Sequence, residues 1–263
     1  MAEEIRFDDT IINFFVNGPT DFTRYEEHDI AYLTTLLNDP NVSESDIKIL
    51  AFAIKKADEI TDMSENGMKA LPYQYYPDSG RYAAKLPLFG LSKNLKDDVY
   101  FLHDGYKNLD IVNRNFTIFD GIAQLNDVKL PTIKKFVDNY KDYYGILVNY
   151  FNKESVKSEL ADLVYHPKHK EGEKEFIKDL VDDLQKVHEI FKHPTFTVMQ
   201  VVEVYSTFII HSVYEYLVKK EIIKNEHCVL GNNIILFRPL KSFDKEDIER
   251  YVSGKTKFNV KFH

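Results

Sequence analysis

The sequence predicts a mainly α protein: a helical bundle body over residues 1–193, then a small helix-and-hairpin α+β module over 194–263 with a short C-terminal helix and tail. Three observations lead there. Apolar residues recur at spacings of three and four along much of the body, the period of amphipathic helices. Gly and Pro number only 10 and 9 in 263 residues, and several of them fall between the periodic stretches, where helices end. Near the end, two short helical patterns precede two β-rich stretches around Gly231-Asn232, a turn pair that tolerates positive φ.

The elements follow in order. Arg6 to Pro19 fits a short helix or strand closed by Gly18-Pro19. Thr23 and Glu26 have capping-box spacing, so a helix is expected to open there. Ile30, Leu33, Leu36 and Leu37 would be its apolar stripe. Ser43 or Ser45 caps the next helix, which carries Ile47, Leu50, Ala53 and Ile54. These two helices form an α-hairpin or, in the sharper reading, a helix-turn-helix. Residues 63–92 are Tyr-rich and break the pattern; they hide a short hairpin or form a functional loop. Ser92 then caps a helix through Leu95, Val99, Leu102, Tyr106 and Leu109, and a short helix follows near Thr117 to Asn126.

Pro131 suits a first helical turn. Behind it, Ile133, Phe136, Val137, Tyr140, Tyr144, Leu147 and Phe151 give the strongest periodic signal in the chain. Ser155 caps a shorter helix, and Ile177, Leu180, Val181, Leu184, Val187 and Phe191 form another long stripe. Two such stripes pack as an antiparallel hairpin in a bundle or as a dimerising coiled coil.

Composition narrows the function classes. The net charge is −8, from 34 basic and 42 acidic residues, which opposes nonspecific nucleic-acid binding by the chain as a whole. The charge is uneven. Pro194 to His263 carries 10 basic and 8 acidic residues, so the preceding body holds the whole acidic excess. A single cysteine, Cys228, excludes an intrachain disulfide. No apolar run is long enough for a membrane span, and the N-terminus lacks signal-peptide order. A cytoplasmic protein is expected.

From Phe196 to Leu240 the order is helix, helix, two strands. Val198 to Ser206 would be the first helix; Ser206 or Thr207 would cap the second, through Lys220. This order resembles the winged-helix module of many bacterial regulators, also found as a tail on many Fic-domain proteins. The resemblance rests on pattern, with no invariant motif, and the Fic catalytic loop is absent. It implies a second helix that docks outward on a target, through Thr207, His211, Ser212 and Lys219, flanked by Lys220. The wing would offer Asn233 and Arg238. Glu215 on that face, and the scarcity of Arg, Asn or Gln, fit a DNA reader poorly.

Enzyme signals are weak. Gly254-Lys255-Thr256 ends like a phosphate loop, but Glu249 occupies the position of its first glycine. His166, His169, Glu171 and Glu173 share a charged turn without a zinc-ligand pattern. His103-Asp104 and Asp97-Asp98 read as polar helix surface. Arg24 and His28 stand too close together for an HEPN-type nuclease motif. No catalytic residue, cofactor or metal is expected. The expected function is a dimeric intracellular regulator that binds DNA through its C-terminal module. The alternative is an acidic interaction or inhibitor module that binds a protein partner through the body and takes no nucleic acid. An enzyme centred on the Tyr-rich segment is the third reading.

Overall fold

The computed structural model describes residues 22–58, 68–76, 81–84, 88–152, 154–191 and 197–263. The expectations for 6–19, Pro194 and Phe196 lie outside them. The described chain is mostly helical, with two small three-stranded sheets. No helix among the described residues is long and apolar enough to cross a membrane.

The first described element is a strand, β1 (Phe22–Glu27), where a helix start was expected. It pairs antiparallel with β2 (Met68–Tyr76), which pairs with β3 (Arg81–Ala84). The capping-box spacing of Thr23 and Glu26 loses because β1 gains a full ladder and Glu26 is drawn into the interior. Helix α1 (Ile30–Leu37) starts instead at Asp29, whose side chain accepts the Tyr32 amide at 3.0 Å. Its Leu33 and Leu36 face inward as expected. Ser43 accepts the Asp46 amide at 3.2 Å before α2 (Glu44–Asp58), and Asp46 in turn accepts the Ser92 amide at 2.8 Å. Within the Tyr-rich segment the described residues 68–76 and 81–84 pair antiparallel as β2 and β3; the rest of 63–87 lies outside the described residues.

The helix expected through Leu109 is broken. A short α3 (Lys93–Asp97) widens into a π-helical stretch, Asp98–His103. Gly105 then turns the chain at a φ of 69°, and β4 (Lys107–Asp110) follows. The widened turn rotates the side chains, so Val99 and Tyr100 are buried while Leu102 is 80% exposed. Helix α4 (Arg114–Leu125) is buried along Phe116 to Ala123. Pro131 opens α5 (Pro131–Asp138) as expected, but Asn139 separates it from α6 (Tyr140–Phe151). Helix α7 (Val156–Tyr165) leads to α8 (Glu175–Ile190). The α8 stripe from Ile177 to Val187 is buried within one chain, so no second copy is needed to cover it. Asp183 of α8 accepts the Thr132 and Ile133 amides at 2.7 and 3.0 Å, capping α5 from another helix.

The C-terminal segment holds the largest correction. Residues expected as two helices form one, α9 (Val198–Lys219), opened by a Thr197–Gln200 capping box. Neither Gly nor Pro interrupts it. The hydroxyls that resemble caps bond back into the helix: Ser206 to Val202 O at 2.7 Å, Thr207 to Glu203 O at 2.9 Å, and Ser212 to Phe208 O at 2.8 Å. Being apolar on nearly every side, α9 is a core helix. The two strands do form: β5 (Val229–Leu230) and β6 (Ile234–Phe237) are antiparallel. They do not stand free as a wing, because β6 also pairs with β4 of the preceding segment. The Tyr73 hydroxyl bridges the sheets, donating to Leu230 O at 3.0 Å and accepting the Leu230 amide at 2.7 Å.

The last helix, α10 (Lys245–Thr256), is capped by Asp244 and packs on α9 through Ile248 and Val252. Gly254 lies inside it, and Lys257 takes the left-handed C-cap at a φ of 64°. The tail then returns along β4, with Ile111 bridged to Phe262.

Candidate site between α9 and α10

The C-terminal end of α9 carries Tyr216 and Lys219, with Lys220 as its C-cap; the first half of α10 carries Asp247, Arg250 and Tyr251. Each set has the i, i+3, i+4 spacing that gathers side chains on one helix face. Because the helices pack together, the two faces line one cleft of about 340 Å³. The Tyr216 and Tyr251 rings lie 5.2 Å apart at 52°. Lys220 Nζ stands 5.9 Å from the Tyr216 ring centre, within reach of a cation–π attraction. Arg250 donates to Asp247. Burial pushes the Tyr216 hydroxyl above the usual phenol range, so it stays protonated and can donate.

The cleft lining thus holds three cations and the Asp247 carboxylate around an aromatic floor, and the Asp244 charge also acts on the Tyr216 hydroxyl. Lys219 and Lys220 have a local reason to be there, since cations favour the negative end of the α9 dipole. Arg250 sits in the interior of α10 and owes nothing to that effect. Chemically the arrangement suits an anion carrying a flat apolar group.

The residues expected to touch nucleic acid are divided by the fold. Lys219 and Lys220 come together in the cleft. Thr207 and Ser212 are buried. His211 presents its ring edge-on to Phe22, with centroids 5.3 Å apart. Burial, then the Arg24 and Lys255 charges, holds its imidazole down to about 3, so it is neutral. Asn233 donates to Asp110 and so fastens the hairpin turn to β4. Arg238 is exposed just past β6. Arg250 and Tyr251 were missed, although the helical spacing of "DIERY" was available as a signal.

A second polar constellation lies inside the fold. His28 Nδ1 is 2.7 Å from Asp104 Oδ2, and its Nε2 is 3.0 Å from Glu26 Oε1. Tyr100 donates to the same Glu26 oxygen. Burial pushes the imidazole down, but the Glu26 charge and the hydrogen bonds to Asp104 and Glu26 outweigh it and raise it to about 9. Beside it, the buried Arg24 guanidinium lies between the Phe22 and Tyr214 rings, 4.3 and 4.2 Å from their centres. The side chains of Glu26, His28 and Asp104 are 0%, 2% and 5% exposed. The constellation clamps the end of β1 to the turn after the π-helical stretch. Asp104 had read as surface; only the π turn carries it inward.

Among the described residues no group of three or more His, Cys, Asp and Glu could hold a metal ion. His169 bonds Glu173 and Asp182 at 3.1 and 3.0 Å on the surface. Comparisons with protein-family models, with curated proteins and with solved structures give no match.

Proposed function

We propose that this chain is a regulatory nucleic-acid-binding protein that grips phosphates through the α9–α10 cleft. One observation carries the reading: a chain of net charge −8 gathers Lys219, Lys220 and Arg250 at one aromatic cleft, outnumbering the Asp247 and Asp244 carboxylates beside them. A winged-helix mode would need Thr207 and Ser212 at the surface. Their burial favours the cleft as the contact and leaves α9 as its support. In a homodimer two clefts would engage separate phosphates of one strand or duplex.

Binding of fluorescent random-sequence DNA fragments, followed by anisotropy across a salt series, tests this. Affinity should fall with salt at a log–log slope of about −2 to −3, one unit per phosphate neutralised. The double variant K219A/K220A should lower that slope by about 2. Absence of binding at low salt would overturn the proposal. The second reading, docking of a protein partner, is favoured by other features: Leu102 and Leu240 each stand exposed, at 80% and 59%, and the body carries the acidic excess.

A further inference from the structure

We infer that the nucleic acid taken by this cleft is single-stranded, with one base laid against Tyr251 and the adjoining phosphates held by Lys219, Lys220 and Arg250. This rests on the nucleic-acid reading above and sharpens it.

A duplex keeps its bases stacked and shows only their edges, to an element that enters a groove. No described C-terminal element suits that entry. Helix α9 is buried at Thr207 and Ser212. Helix α10 begins behind its Asp244 cap with Glu246 in the first turn, an acidic leading end that opposes insertion of that end into a groove. The turn between β5 and β6 is tied down through Asn233 to Asp110. A duplex would therefore meet this face through phosphates alone, and the tyrosines would be idle.

A single strand uses both halves of the cleft. At about 340 Å³ it sits near the low end of small-ligand sites, which run from ~300 to ~1,000 Å³. That is room for one flat unit rather than for a helix. Tyr216 is buried with the Lys220 ammonium near its ring; Tyr251 is only half-buried and lines the same opening. Tyr251 is therefore the ring offered to a base, and the cations at the rim follow the backbone. Stacking of this kind tolerates every base, because each has a π face.

Anisotropy with a short mixed-sequence single-stranded DNA, and with its duplex, at one salt concentration tests the inference. The single strand should bind roughly tenfold tighter. Tyr251→Leu should weaken single-strand binding roughly tenfold while leaving the salt slope unchanged. Tyr251→Phe should restore it, which separates stacking from any loss of folding. Equal or tighter duplex binding, with a slope still reduced in K219A/K220A, would overturn the single-strand inference and leave the phosphate-binding proposal standing. Single-strand binding indifferent to Tyr251→Leu would overturn it too. Failure of both DNAs to bind would remove both.

Discussion

Replacing His28 with glutamine removes the imidazolium charge that lies between the Glu26 and Asp104 carboxylates. The imidazole lies 3.0 Å from one and 2.7 Å from the other, in a fully buried setting. A histidine that titrates at about 9 when folded, against 6.5 when free, stabilises the fold by about 3 kcal/mol. That agrees with the ~3–5 kcal/mol cost of removing one partner from a buried ion pair. The sign follows from the raised value. The folded state binds the proton more tightly than the unfolded chain, so the contribution is complete below pH 6.5 and fades as pH rises to about 9. Urea unfolding of the wild type and His28→Gln at several pH values is the assay. The gap between them should be largest near pH 6, about 3 kcal/mol, and should narrow strongly by pH 10. A gap that is small at pH 6, or equally large at both ends, would show that His28 is not the protonated centre of the clamp.

Two further predictions concern packing. A Cβ added at Gly121 would meet the Phe258 ring at 2.4 Å, and that ring is stacked on Tyr205 with centroids 5.1 Å apart. Gly121→Ala should therefore cost ~1–3 kcal/mol in urea unfolding, and Gly121→Ala combined with Phe258→Leu should recover part of it. An unchanged midpoint in the single variant would refute the contact. Cys228 is fully buried, and burial pushes its thiol up to about 12. It should resist a thiol-reactive dye in the folded protein and react once urea is added. Rapid labelling of the native protein would contradict its placement at the foot of β5.

The cleft was half legible. Lys219 and Lys220 stand out as a basic pair at a helix end, where local charge preferences act. Their companions Arg250 and Tyr251 lie thirty residues on in sequence, and only the packing of α10 on α9 brings them opposite. The buried clamp was less legible still. Glu26 and His28 read as part of a polar helix start, because nothing nearby in sequence announces Asp104 as their partner.

By itself the sequence determined the elements whose signals are local: α2 behind Ser43, the Pro131 start of α5, the α8 stripe, and the hairpin around Gly231-Asn232. Caps, fixed proline geometry, turn residues and a 3.6-residue period act within a few neighbours, so they can be read from a linear string. Tertiary structure alone decided the continuity of α9, the strand at Phe22–Glu27 and the π turn that exposes Leu102. In each case two local conformations lie within about a kcal/mol of each other. A serine hydroxyl can cap a new helix or bond back to the preceding turn at little difference in free energy. Burial of Val198 to Leu217 from nearly every side, which no local window contains, tips that balance toward a single helix.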